Sequence, residues 1–221
     1  MEAPSVLDRS PTPTLGRSAR EFTGFPSPWL IGGASLAATT ARVVLGHWRW
    51  SELLIPAGIL AAEPFTEWLI HVFLLHFRPR TIRGRRIDPF VARKHRMHHG
   101  DPKNLPLVFV PVRVVVPSLA VGALIALVAA PDVRRALTAI AAADAMFLAY
   151  EWTHSLIHSA YRPRSRLYRG IWRAHRLHHY RNERYWFGVT MHQADRILRT
   201  YPDKDAVPLS ATARTLGVDA A

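Results

Sequence analysis

The sequence predicts an all-α integral membrane protein, a four-helix bundle that carries a cytoplasmic helical cap. Three observations favour this fold: long apolar stretches alternate with arginine-rich segments, basic residues concentrate in particular segments, and two histidine-rich strings repeat. Apolar residues make up 49% of the 221 residues, and the formal charge is +13. This combination is typical of a membrane protein whose basic segments face anionic lipid head groups.

Composition also excludes several classes of protein. The positive charge could indicate nucleic-acid binding, but no recognition motif accompanies it, and we expect no nucleic-acid partner. The sequence contains no cysteine, which excludes disulfides, thiolate metal sites, iron–sulfur clusters and cysteine nucleophiles. Any metal site must therefore use His, Asp or Glu side chains.

The chain divides into two tails and one membrane domain. Residues 1–28 are rich in proline, serine and arginine, a composition typical of a flexible tail. The first long apolar stretch begins too late for a cleaved secretory signal. We expect the membrane domain to occupy residues 29–200 and a C-terminal tail to occupy residues 201–221.

Four apolar stretches lie within the membrane domain. Each is about 18 to 24 residues long, which at about 1.5 Å per residue is enough to cross the hydrocarbon core of a bilayer. The predicted spans are 29–46, 53–76, 107–130 and 136–159.

The distribution of basic residues predicts the orientation. The segment 77–106 holds nine Lys and Arg residues and the segment 160–221 holds twelve, whereas the opposite loops hold only Arg49, Arg134 and Arg135. By the positive-inside rule, both termini and the histidine-rich segments face the cytoplasm. We expect a multi-pass protein of a bacterial inner membrane.

The string HRMHH at His95–His99 recurs as HRLHH at His175–His179, and each copy follows an apolar span that carries further histidines. Residues three and four apart share a helix face, so the histidines of each string are predicted to point one way. His76 comes five residues after His71, which requires a distorted turn to bring both to one site. Ten of the twelve histidines thus form two matched sets: His71, His76, His95, His98, His99, His154, His158, His175, His178 and His179.

These two sets predict a two-metal centre. Neutral imidazole is the commonest protein ligand for transition metals. Burying the ten imidazoles without partners would cost about 1–3 kcal/mol each, and metal coordination removes that cost. His47 and His192 lie outside the sets: His47 is expected at the opposite membrane interface, whereas His192 is on the correct side to approach the site.

Carboxylates inside the predicted spans need partners, because each costs about 2.5–3.5 kcal/mol on insertion. Glu67 and Glu151 precede span histidines, and either could accept from a ligand imidazole N–H or pair with an arginine. Glu63 and Asp144 lie deeper and could pair with Arg42 or with each other. A metal site above apolar helices suits an acyl chain that enters from lipid, so the residues indicate a membrane metalloenzyme that acts on lipid.

The four ordered histidine boxes resemble those of the fatty acid hydroxylase superfamily of membrane oxygenases, over about Glu63 to Thr200. The stretch HRMHHGDPKNLPLVFVP is most similar to the fatty acid 2-hydroxylases. The resemblance implies an O₂-dependent monooxygenase that hydroxylates a fatty acyl chain at carbon 2. It also implies that the ten histidines hold two metal ions, expected to be iron, with zinc possible in isolated protein.

The same resemblance suggests further residues and partners. Tyr150 and Glu151 precede His154 as an acidic pair does in that group, which implies a catalytic role for both. Ala194 and Arg199 depart from the closing motif, where Trp and Gly are common. Many members carry a haem-binding domain that this sequence lacks, so a separate electron-donor protein is expected. The alternatives are sterol or carotenoid oxidation by the same superfamily, or non-catalytic metal binding or transport.

Overall fold

The computed structural model describes residues 14–218 and confirms the predicted helical class, with 66% helix and 3% strand. The helices are α1 (Leu15–Phe22), α2 (Pro26–Val44), α3 (Leu54–Leu69), α4 (Phe90–Gly100), α5 (Leu105–Val108), α6 (Val112–Ala129), α7 (Val133–His158), α8 (Arg166–Tyr180) and α9 (Gln193–Ile197). A π-helical turn, Ile70–Leu75, continues α3, and 3₁₀ turns occupy Trp50–Leu53 and Lys204–Ala206. The strands β1 (Arg80–Ile82) and β2 (Arg85–Ile87) form an antiparallel hairpin.

Helices α2, α3, α6 and α7 occupy the four predicted spans, and α7 packs against the other three. Apolar side chains on α3 and α6, among them Leu60, Val121 and Leu124, are more than half exposed, as expected of surfaces that face lipid. By length and composition, two segments of the described chain, Trp50–Leu75 and Leu105–Ala129, could cross a membrane. The full set of four spans stays a prediction.

The buried Arg42 pairs with a carboxylate that the sequence analysis did not select. Its Nη2 lies 2.5 Å from Glu52 Oε2, both side chains are buried, and its Nε donates to Thr138 Oγ1 at 3.2 Å. The expectation that Arg42 pairs with Glu63 or Asp144 is therefore wrong. The ion pair joins α2 to the start of the α3 segment, at the end of the bundle away from the histidines.

Both predicted tails contain ordered structure where they are described. Helix α1 and the first turn of α2 occupy residues 14–28, and the Phe25 ring stacks on Phe109 at a centroid distance of 3.8 Å. Residues 201–218 pack against the cap and bury Val207, Ala213 and Leu216. Where the structure describes them, the segments predicted as tails pack against the domain, and the predicted domain bounds stay a prediction; residues 1–13 and 219–221 lie outside the described residues.

The cap consists mainly of α4 and α8, which carry the two HRxHH strings. Each follows a long helix through a short connector: the β1–β2 hairpin precedes α4, and residues 159–165 precede α8. Ala174 on α8 packs with Trp186 and Val207, and this small core fixes the C-terminal segment against the helix.

Candidate metal centre

The structure gathers the ten motif histidines into two clusters of five, and nine of the ten are buried. Within each cluster, one nitrogen from every imidazole lies within 4.8 Å of the others. The first cluster contains His71, His76, His95, His99 and His178. The second cluster contains His98, His154, His158, His175 and His179.

Each cluster takes four histidines from one half of the chain and one from the other half. His98 belongs to the first half of the sequence but lies in the second cluster, where its Nε2 is 3.2 Å from His158 Nε2. Conversely, His178 belongs to the second half but lies in the first cluster, with its ring centroid 4.6 Å from that of His71. We call this crossing of one histidine from each half the exchange. The prediction that each string points one way is therefore wrong. On a helix, His98 lies about 100° from His99, which is enough to face the other cluster.

The π-helical turn explains how His71 and His76 reach one cluster. The backbone N–H of His76 donates to the carbonyl of His71 at 3.0 Å, the five-residue hydrogen bond of a π-helix. In a regular α-helix the two side chains would lie about 140° apart. Their ring centroids are instead 4.9 Å apart, which is the distorted turn that the five-residue spacing requires.

Backbone carbonyls fix the orientation of several imidazoles. A carbonyl only accepts, so an Nδ1 that bonds to one carries the proton and leaves Nε2 with a free lone pair. Such supporting bonds typically orient metal-ligating histidines. The four bonds run from Nδ1 of His71 to Phe187 O (2.7 Å), His99 to Ala213 O (2.8 Å), His154 to Val108 O (3.2 Å) and His178 to Tyr185 O (2.7 Å).

The clusters fit metal ions better than they fit mutual hydrogen bonding. In the first cluster, His95 Nε2 lies 3.1 Å from Nε2 of both His71 and His99, although both partners already carry their proton on Nδ1. Two ligands at right angles around a metal at about 2.1 Å would be about 3.0 Å apart. Buried nitrogens of six cluster histidines, including Nε2 of His76 and His178, have no hydrogen-bond partner.

Electrostatics also favours neutral ligands. Burial lowers the pKa of all six histidines on α4 and α8, and it lowers the pKa of His99 to about 3. These imidazoles are therefore neutral at pH 7, which is the state that donates a lone pair to a metal.

An apolar cavity of about 490 Å³ lies between α3, α6 and α7 and reaches both clusters. Its walls include Ile59, Leu74, Val114 and Phe147, and its inner end is formed by His71 and His95 of the first cluster and His98 and His154 of the second. Tyr150 also lines the cavity, with its ring centroid 5.6 Å from that of His154. The cavity thus joins the apolar bundle to the point where the two clusters meet.

The comparisons with known proteins agree with this site. A family model described as fatty acid hydroxylase matches residues 56–200, a range that contains all ten motif histidines. The chain belongs to the fatty acid hydroxylase family. The predicted superfamily is thereby confirmed.

A solved structure described as full-length scs7p, with only its hydroxylase domain visible, is similar to this family member in fold. The TM-score is 0.68 at 21% sequence identity, and the match covers 90% of this chain and 74% of the other. Among curated proteins, no sequence matches the chain significantly.

Glu67 and Glu151 hold loops of the hydroxylase domain rather than imidazoles. Glu67 accepts from the backbone N–H groups of Val189 and Thr190, and from Thr190 Oγ1 at 2.6 Å. Glu151 accepts from Val110 N and Ser27 Oγ, each at 2.7 Å. Within the described residues, neither carboxylate bonds to a histidine or an arginine, so both interpretations made from the sequence are wrong. The catalytic role expected for Tyr150 and Glu151 stays a prediction.

These contacts form a symmetric brace between the two halves. In the second half, Phe187 O accepts from His71 and Val189 N donates to Glu67. In the first half, the end of α5 and the residues after it repeat this pattern: Val108 O accepts from His154, and Val110 N donates to Glu151. Each long helix therefore holds the loop that follows the histidine string of the opposite half.

The two remaining histidines lie outside both clusters. His192 precedes α9, and its ring lies 4.9 Å from that of Tyr201 instead of approaching the site. His47 lies between α2 and the Trp50–Leu53 turn, at the end of the bundle away from the clusters. His192 is thus excluded as a member of either described cluster.

The C-terminal segment is a part of the site that sequence reasoning missed. Ala213 contributes only a backbone carbonyl to His99, and no side-chain pattern signals such a contact. Deleting residues 204–221 is expected to free the His99 ring and to lower metal affinity about 10- to 100-fold, as loss of an orienting partner typically does. Metal content of purified protein after dialysis against a graded chelator would measure this. Unchanged retention would show that the segment does not support the site.

Proposed function

We propose that the chain is a membrane monooxygenase that uses O₂ and two iron ions to hydroxylate a fatty acyl chain at carbon 2. The observation that carries the proposal is the apolar cavity whose inner end is formed by histidines of both clusters. An acyl chain in this cavity would present the carbons nearest its carboxyl end to the clusters, while apolar walls exclude water.

The histidines suit redox-active metals. Each cluster offers five neutral nitrogen donors and no thiolate or carboxylate, a set that suits iron and does not discriminate strongly against zinc. Bound iron would supply the one-electron chemistry that O₂ requires. The chain itself supplies the imidazoles, the carbonyls that orient them and the cavity that positions the substrate.

Attack at carbon 2 is supported by the position of Lys94. This residue lines the cavity beside His95 and His98 and is the one Lys or Arg among its lining residues in the described chain, which also include Glu63 and Glu67. A cation at that end suits the carboxyl or carbonyl group of an acyl chain. A head group held by Lys94 would leave carbon 2, the next carbon along, closest to the histidines.

Metal transport is the rival from another class. Transporters usually hold their ions near the middle of the bilayer. In this structure most cluster histidines lie on α4 and α8 or at the adjacent ends of the long helices. The rival within the superfamily, oxidation of a sterol or carotenoid, would require a rigid substrate in the same cavity.

Lipid analysis of cells that express the protein tests the proposal. Mass spectrometry is expected to find 2-hydroxy acyl chains that disappear in cells expressing a His98→Ala/His178→Ala variant. A hydroxylated sterol or carotenoid would favour the rival of the same superfamily. Unchanged lipids together with altered cellular metal uptake would refute the proposal in favour of transport.

The cavity also predicts chain-length selectivity. Ala143 on α7 lines the cavity, whereas Ala145 on the same helix faces a groove on the other side. Ala143→Phe is expected to fill part of the cavity and to lower kcat/KM for long acyl chains about 10-fold or more relative to short ones. Ala145→Phe is the matched control and should leave the ratio unchanged, with metal content equal in both. Equal selectivity of the two variants would contradict this placement of the substrate.

A further inference from the structure

A second, basic cleft of about 820 Å³ opens on the cap. Its cations come from α1, from the segment after α4, from the connector before α8 and from α8 itself: Arg17, Lys103, Arg162, Arg169 and Arg176. The lining has one carboxylate, Glu21, which is paired with Arg17 at 3.2 Å. The cleft is therefore an exposed site of strong positive charge.

The cleft reaches the second histidine cluster from the side away from the apolar cavity. The buried ring of His158 forms part of its wall, and none of its lining residues also lines the apolar cavity. The His158 ring centroid lies 4.7 Å from that of His179 and 5.2 Å from that of His175. The metal centre is thus approached from two sides, one apolar and one basic.

Helix α8 connects the cleft with the clusters. His175 and His179 face the second cluster, whereas Trp172 and Arg176 line the cleft. The Arg176 guanidinium lies 4.7 Å from the Trp172 ring centroid, which holds both side chains in the wall. The buried indole N–H of Trp172 has no hydrogen-bond partner. A molecule in the cleft would therefore contact Trp172 and Arg176, on the same helix turns that carry the cluster histidines His175 and His179.

We infer that this basic cleft is the docking surface for an acidic one-electron carrier protein. The inference rests on the proposed hydroxylation, which consumes a C–H bond, O₂, two electrons and two protons, and yields C–OH and water. Two carrier molecules would each be oxidised by one electron per turnover. Opposite charge speeds such encounters and selects the partner, and the cations of the cleft come from four separate segments of the chain.

Binding of an acidic plant-type [2Fe–2S] ferredoxin to the zinc-loaded protein in neutral lipid nanodiscs tests the inference without turnover. Arg162→Glu/Arg169→Glu reverses two exposed charges of the cleft. We expect about 10-fold weaker binding and a smaller dependence of Kd on salt. The matched control, Arg85→Glu/Arg86→Glu, makes the same charge change on the exposed β2 strand and should alter Kd less than twofold.

Reduction of the iron-loaded protein provides the second measurement. The cleft variant should be reduced more slowly than the wild type by ferredoxin but equally fast by dithionite. Equal effects in both charge variants, or no effect in either, would overturn the inference. Unchanged ferredoxin binding with lost binding of anionic phospholipid would assign the cleft to a lipid head group and would also overturn it. If the wild type binds ferredoxin but forms no hydroxylated lipid with either reductant, the proposed function fails while the docking surface stands.

Discussion

Replacing His98 and His178 together with alanine is expected to abolish hydroxylated product and to remove metal from both clusters. Each cluster would lose the one imidazole that comes from the opposite half. The expected loss of activity exceeds the 10- to 100-fold that is typical of removing a supporting partner, because these are proposed ligands themselves. Metal analysis of purified protein and lipid mass spectrometry of expressing cells measure the two effects.

Single variants test the exchange itself. His98→Ala should weaken metal binding in the second cluster, although His98 lies in the first half of the sequence, and His178→Ala should weaken the first. A second substitution, His154→Ala, distinguishes the clusters. His98→Ala/His154→Ala removes two proposed ligands from the second cluster, whereas His178→Ala/His154→Ala removes one from each cluster. His47→Ala is the control outside both clusters and should retain metal. Full metal content in the double variant would contradict the ligand assignment.

Glu67→Ala is expected to be the most damaging change outside the clusters. The buried carboxylate accepts from the N–H groups of Val189 and Thr190. Leaving the buried Val189 N–H and the part-buried Thr190 N–H without an acceptor should lower the free energy of unfolding by about 2–6 kcal/mol, at about 1–3 kcal/mol each. The loop that contains Phe187 would loosen, and the orienting bond to His71 would weaken with it.

Thermal unfolding and metal retention in nanodiscs would measure this effect. Glu67→Gln should be intermediate, because an amide keeps the shape and one acceptor oxygen. Glu63→Gln is the matched control one turn away: it lines the cavity and has no hydrogen bond within the described residues. Comparable destabilisation by the Glu63 and Glu67 changes would show that the brace is not the cause.

The helices and the histidine set could be predicted from the sequence, because both depend on local periodicity and on residue type. The five-residue spacing of His71 and His76 even required the distorted turn that the π-helix provides. The exchange of His98 and His178 could not be predicted. It depends on how α4 and α8 pack, and a rotation of either helix by less than half a turn decides which cluster each side chain faces.

The partners of the buried carboxylates were also beyond sequence reasoning. Glu67 and Val189 are separated by 122 residues, and their contact uses a backbone N–H that every residue except proline carries. The same holds for His99 and the carbonyl of Ala213, which made residues 201–218 resemble a tail. Side-chain patterns identify which groups need a partner but not which backbone group satisfies them.

The exchanged imidazoles make the two halves of the chain mutually dependent. A fragment that ended in the loop before α7 would hold four of the five donors of the first cluster. It would also contain His98 without the other four histidines of the second cluster. The fifth histidine of the first cluster, His178, would then have to come from a separate chain. The two halves of the protein therefore relate to each other as two subunits joined by a peptide linker. Metal loading is therefore expected to report on assembly of the whole molecule, and neither cluster should hold a metal at full strength in half of it.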